Sequence, residues 1–325
     1  MVARARLTVR ATGFLATAAC TAAVALTLLA PSTLASVTQP AASTAATPAS
    51  PPPSAAANPV AIATAPGGVG ARAAAIENAS TGALLWSRGL NTERPMGSIT
   101  KVMTALVVLR AGDLNRTITI PSSVVGYVRE YDASNAGLQP GDTLTARQLL
   151  DGLMLPSGCD AAYVLAGAYG AGRTAFVAKM NAVAKQLGMT RTHFANFDGL
   201  PWPTEHSTYS TASDLLKLGR AAMKYAVFRS IVAQRTYRIG AGDGHHAYVW
   251  RNLDPLLGTY RGATGIKTGY TLAAGHCLLF AATREGHSVI GVTLDSPGSG
   301  TTVNGADPAR ILNWTFALPA ADLAT

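Results

Sequence analysis

The chain has 325 residues, of which 48% are hydrophobic and 13% charged. That is enough apolar material for a substantial core and too little charge for a disordered polyelectrolyte. The formal charge is +9, yet no run of Lys and Arg with interleaved aromatics occurs, which argues against a nucleic-acid surface.

Residues 1–35 begin with Arg4, Arg6 and Arg10 and no acid, continue in an apolar run from Phe14 to Ala30, and end in small residues up to Ala35. This is the pattern of an export signal cut after Ala35. An uncut membrane anchor is the other reading; a lipid attached at Cys20 fits less well, because Thr17 stands where that pattern wants Leu. The expectation is therefore an exported protein of the cell envelope, with any membrane association through its N-terminal end. Residues 36–68 are rich in Ala, Pro, Ser and Thr and show no periodicity, the composition of an extended linker. Residues 69–325 form the expected folded domain. The signal carries three of the net positive charges, leaving six, an excess that suits an anionic wall or lipid surface.

ARAAAIENASTGALLWSRG reads as a hairpin turning at Ala79 to Gly82. SITKVMTALVVLRAG, from Ser98 to Gly112, is apolar on most faces and predicts a buried helix. Thr145 with Gln148 is a capping-box pair opening a helix to Leu155. CDAAYVLAGAYG and RTAFVAKMNAVAKQLG predict two more helices, and Thr211 with Asp214 opens a fifth through Ala226. HCLLFAAT and HSVIGVTL flank Arg284-Glu285-Gly286 as a second hairpin. Asp307 and Pro308 read as N-cap and first residue of a last helix. Strands at both chain ends around a helical middle make an α+β plan: one antiparallel sheet built from both ends, plus a mostly helical subdomain.

Three short motifs carry chemistry. In Ser98-Ile99-Thr100-Lys101 the first and last residues are one helical turn apart, so the amine can reach the hydroxyl. A serine needs such a base to become a nucleophile, and a lysine that is partly desolvated near other cations can lose its proton. The second motif is Ser157-Gly158-Cys159, where a loop serine can carry a proton to a leaving amine. The third is Lys267-Thr268-Gly269, which offers a charge and a hydroxyl to a carboxylate, with a glycine where a substrate lies along an edge strand. Each motif is common by chance, and the information lies in their order.

In that order the chain resembles the penicillin-recognising serine D,D-peptidases of the β-lactamase-like fold, and within them the D-alanyl-D-alanine carboxypeptidases. Stretches such as LLDGLMLPSGCDAA, FANFDGL, GIKTGYTLAAGHCLLFAATREG and ILNWTFAL extend the likeness over about Ala71 to Leu318. The resemblance implies that Ser98 is acylated, Lys101 is its base and Ser157 relays the proton to the departing D-alanine. It implies that Lys267 orients that relay electrostatically, that Thr268 binds the terminal carboxylate beside Gly269, and that the amides of Ser98 and Tyr270 form the oxyanion hole. Peptidoglycan stem peptides are then the substrates, β-lactam antibiotics covalent inhibitors, and no metal or cofactor is required. Cys159 departs from the family's usual Asn. A thiol donates and accepts hydrogen bonds only weakly, so weaker substrate positioning is expected, with the chemical step retained. A disulfide between Cys159 and Cys277 is a further expectation, since export permits one.

The other polar candidates are read as ordinary surface. His245 and His246 lie in a Gly-rich loop with no third ligand at suitable spacing, and His276 precedes a strand. Asp198-Gly199-Leu200 reads as a turn supporting the site. Glu205 is the acid near the segment where a β-lactamase holds its deacylating Glu, but Tyr209 stands where the accompanying Asn belongs. A β-lactamase, an endopeptidase or transpeptidase, and a non-catalytic wall-binding paralogue stay open as alternatives.

Overall fold

The computed structural model describes residues 65–324, so the expected signal and most of the expected linker lie outside the described residues. In chain order the elements are β1 (Ala73–Asn78), β2 (Leu84–Arg88), a 3-10 turn (Gly97–Ile99), α1 (Thr100–Ala111), β3 (Thr117–Thr119), α2 (Ser123–Glu130), β4 (Thr143–Thr145), α3 (Ala146–Met154), α4 (Cys159–Tyr169) and α5 (Arg173–Gln186). They continue with α6 (Ala212–Met223), α7 (Ala226–Val232), β5 (Thr236–Ile239), β6 (Tyr248–Arg251), β7 (Ala263–Thr271), β8 (Gly275–Arg284), β9 (His287–Ser296), α8 (Ala306–Thr315) and α9 (Ala320–Ala324).

The main sheet has the order β2-β1-β9-β8-β7, with every neighbouring pair antiparallel. The N-terminal hairpin is thus docked on the strands of the C-terminal third, as the α+β plan requires. Its turn is closed by Asn78 Oδ1, which accepts from the amides of Ser80 and Thr81, and by Gly82 at a φ of 77°, the left-handed region a glycine enters without a Cβ penalty. Both faces of the sheet are buried, and period-2 alternation divides β8 between them. Cys277, Leu279 and Ala281 pack with α1 and α6 on one side, while Leu278, Phe280 and Ala282 pack with Ile311 and Leu312 of α8 on the other. Among the described residues, no helix is long and apolar enough to cross a membrane.

The middle of the chain is helical. α1 is buried from Thr100 to Leu109, which explains why it is apolar on most faces: it runs through the core. Its end at Gly112 uses a φ of 75°. The Thr145–Gln148 capping box forms in both directions, Gln148 N to Thr145 Oγ1 at 3.2 Å and Thr145 N to Gln148 Oε1 at 2.7 Å. The helix expected from Thr211 through Ala226 stops at Met223, and α7 begins anew at Ala226. The small ribbons β3–β4 and β5–β6 and helix α2 come from stretches too short for periodicity to reveal. Asp307 is not the N-cap of α8, which starts at Ala306 after Gly305. Its carboxylate accepts instead from Gly70 N at 3.0 Å and from Arg310, tying the start of the domain to the last long helix.

Candidate active site

Ser98 lies in the 3-10 turn that leads into α1, half-buried, one turn before the fully buried Lys101. Lys101 Nζ donates to Ser98 Oγ at 2.8 Å and to the carbonyl of Asp198 at 2.9 Å. Two glycines bring this turn onto the edge strand β7. A Cβ on Gly97 would lie 2.8 Å from Tyr270 N, and one on Gly269 would lie 2.3 Å from Met96 O. Both are closer than real Cβ contacts allow. Gly269 is therefore required by the approach of the nucleophile's own backbone, in addition to any substrate on the strand. A third close approach locks the opposite side: a Cβ on Gly199 would meet Gly97 O at 2.0 Å, so the Asp198–Gly199 turn presses directly on the Ser98 segment.

Ser157 sits between α3 and α4 with a φ of 64°, a left-handed conformation that costs a serine about 1 kcal/mol or more. The surroundings impose it. Gly158 N donates to Gly152 O at 3.1 Å, and Ser134 Oγ donates to Ser157 O at 2.8 Å. The loop carrying Ser134 is in turn pinned by Asp160, whose buried carboxylate accepts from the amides of Ala136, Leu138 and Ala161. Cys159 opens α4, fully buried, with its thiol 3.6 Å from Ser134 Oγ. Burial pushes that thiol up to about 11, so it is protonated and not a nucleophile at neutral pH.

Lys267 and Thr268 are buried on β7 and joined by a hydrogen bond of 3.2 Å. Burial, reinforced by the charge of Lys101, lowers the Lys267 ammonium to about 7, against the pull of Asp254. Ser98, Ser134, Ser157, Thr268, Gly269 and Tyr270 line one cleft of about 320 Å³. The residues of all three motifs thus meet at one place, with the two lysines and Cys159 behind the cleft wall. A larger recess of about 560 Å³ lies at the far ends of the strands and contains none of them.

Several expectations change. Cys159 and Cys277 are both free. Cys277 Sγ points to Ala274 O, away from the partners of Cys159, so strand pairing beside the third motif does not bring the thiols together. His276 is not at the surface: it is 3% exposed, packs edge-on against the Tyr270 ring at 5.2 Å and contacts Gly300 O. His246 binds Asp142 at 2.8 Å from an otherwise exposed loop. Glu205 is exposed in a turn. Ser134 and Tyr127 carry no motif and were not legible as site residues. Asp198 was, but only as a turn, while its side chain also faces inward.

The model of the D-alanyl-D-alanine carboxypeptidase family matches residues 60–298. The chain belongs to that family. Among its relatives is the D-alanyl-D-alanine carboxypeptidase of Streptomyces sp. strain K15, 42% identical over 253 residues, covering 74% of this chain and 85% of the relative. Another, from Mycobacterium tuberculosis, is 41% identical over 246 residues, covering 75% and 81%. The solved structure of the Streptomyces K15 DD-transpeptidase superposes with a TM-score of 0.72 at 40% identity, over 78% of this chain and all of that one. A D-alanyl-D-alanine carboxypeptidase structure from M. tuberculosis gives 0.70 at 36% identity, over 79% of this chain and 97% of that one. As a family member the protein is a serine peptidase with the β-lactamase-like α+β fold that the motif order implied.

Proposed function

We propose that the protein removes the terminal D-alanine from peptidoglycan stem peptides through an acyl-enzyme on Ser98. The observation that carries this reading is the 2.8 Å contact between Lys101 Nζ and Ser98 Oγ, placed beside Ser157 and the Lys267–Thr268 pair in one cleft. Ser98 Oγ gives its proton to Lys101 as it attacks the peptide carbonyl. The oxyanion is held by the amides of Ser98 and Tyr270. Ser157 passes the proton to the departing amine, and Thr268 and Lys267 hold the D-alanine carboxylate. Water then releases the acyl group. Cys159 replaces an amide near the substrate with a thiol of poor hydrogen-bonding power, which slows positioning and leaves the bond-making groups in place. β-Lactam antibiotics acylate the same hydroxyl.

The protein acts in the cell envelope, exported by residues 1–35 and held off the membrane or wall by the linker. If the signal is left uncut, it also provides a membrane anchor. An amine in place of water at the second step would make the reaction a transpeptidation, the activity named for the K15 structure. The test is D-alanine release from a short D-Ala-D-Ala peptide, together with intact mass after penicillin treatment, in the wild type and in Ser98→Ala. Release and a covalent adduct, both lost in Ser98→Ala, are expected. Neither in the wild type would leave a wall-binding protein; rapid penicillin turnover would indicate a β-lactamase. Adding an amine acceptor separates hydrolysis from transfer.

A further inference from the structure

Behind the nucleophile lies a carboxyl group that the reaction above does not use. Asp198 is fully buried. Its backbone carbonyl accepts from Lys101 Nζ at 2.9 Å, and its side chain turns into the same dry region. Tyr127 OH donates to one carboxyl oxygen and Leu200 N to the other at 3.2 Å. The Cys159 thiol lies near it, and the cation acting on it is Lys101. The turn is rigid. Asn196, fully buried, accepts from Gly199 N at 2.7 Å and donates to the carbonyls of Leu200 and Trp202. Tyr127 is wedged among Tyr131, Tyr163 and Phe197. Burial pushes the Asp198 carboxyl up from its ordinary range, against the pull of Lys101 and the bond from Tyr127, and a buried carboxylate is costly unless something compensates it.

The compensation lies in the charge balance of acylation. When Lys101 takes the Ser98 proton, a second ammonium appears near Lys267, on which the charge of Lys101 acts across the dry wall. Like charges in such a place repel strongly. We propose that Asp198 is a positioning residue for the base. Its carbonyl aims the Lys101 amine at Ser98, and its carboxylate, held by Tyr127, balances the ammonium that forms on Lys101. The Oγ–H bond of Ser98 breaks, an Nζ–H bond forms on Lys101, and Oγ bonds to the substrate carbon. Asp198 gains no proton. The arrangement has the logic of a nucleophile, a base and a third group orienting the base, with a lysine in the middle position. This rests on the reading of Ser98 and Lys101 given above.

The test is the pH profile of penicillin acylation. The groups facing this pair are Tyr127 and Tyr131 from α2, Cys159 from α4, and Lys267 from β7 with Asp254 behind it. The acid limb reports protonation of this buried cluster as a whole. Asp198→Asn keeps the carbonyl and removes the charge. It is expected to move the acid-limb midpoint down by about one pH unit and to lower the plateau rate about ten- to a hundredfold. A rate loss with an unmoved midpoint, or no change at all, overturns the proposal, since a purely structural turn residue would not shift the limb. Folding is checked by circular dichroism. If Asp198→Asn does not fold, Tyr127→Phe removes one bond that favours the carboxylate and is expected to shift the midpoint in the same direction by a smaller step; an unmoved midpoint in that variant overturns the proposal equally. Absence of any adduct in the wild type overturns the acyl-enzyme reading itself, and this proposal with it. An adduct with an unmoved midpoint overturns this proposal alone.

Discussion

Two lysines stand behind the same cleft in different surroundings. Lys101 is fully buried, and its amine reaches two oxygens, Ser98 Oγ and Asp198 O. Lys267 is 2% exposed and reaches one, the hydroxyl of its own neighbour Thr268. The acid acting on it, Asp254, is itself pushed up to about 6 by burial, so its help fades as it protonates. A buried amine placed between a hydroxyl and a carbonyl is geared to pass a proton. A buried amine with one neutral acceptor is a charge that comes and goes near neutral pH. The first wall of the cleft therefore serves bond-making and the second serves recognition.

The strongest way to break this division is Lys101→Met, which keeps the bulk and removes the base. Penicillin acylation, followed by intact mass, is expected to fall about 10²- to 10⁴-fold, while heat stability changes little. A comparable loss from removing Lys267 would erase the distinction. Next in size is Gly269→Ala. Its methyl would sit 2.3 Å from Met96 O and push the Ser98 turn away from β7. A loss of about 1–3 kcal/mol in denaturant unfolding and about a hundredfold in acylation is expected, both from one methyl group on the recognition wall.

Titration sharpens the same contrast. As pH rises through about 7, Lys267 loses its proton, and the KM for a D-Ala-D-Ala peptide is expected to rise about tenfold. Lys267→Arg, always charged, should flatten that rise. The sign for stability is opposite to that for binding. The folded pKa lies below the free value of 10.5, so in the window between them the unfolded chain holds the extra proton and stability increases with pH. Lys267→Met should remove that increase from urea unfolding curves. The smallest effects belong to the loop beside the cleft. Ser134→Ala frees the strained Ser157 carbonyl and should lower kcat about three- to tenfold, while Cys159→Asn should raise kcat/KM by a similar factor by restoring an amide.

Much of this site was legible in sequence because its parts are local. The Ser98–Lys101 pair needs one helical turn, the Thr145 cap three residues, and the Arg284–Gly286 hairpin a tight turn; each pattern is written within a few positions. The position of His276 was misread because hydrophobicity around a strand start does not say what covers it. The segment through Gly298 and Gly300 folds over that ring, and nothing near residue 276 announces it. Ser134 was invisible for a similar reason: its partner Ser157 lies 23 residues away, in a loop-to-loop contact with no periodicity.

By itself the sequence determined the chemistry on offer and the elements that carry it: a serine and a lysine one turn apart, a loop serine beside a thiol, a lysine and threonine on a strand, and strands at both chain ends that pair antiparallel. Only the tertiary structure decided how these meet. It set the Ser98 turn against β7 through Gly97 and Gly269, left the two cysteines apart, and brought the Asp198 carbonyl onto an amine 97 residues earlier in the chain. The physical reason is that local patterns are dictated by backbone sterics and short hydrogen bonds, whereas the charge state of a buried group depends on whichever distant segments share its dry surroundings.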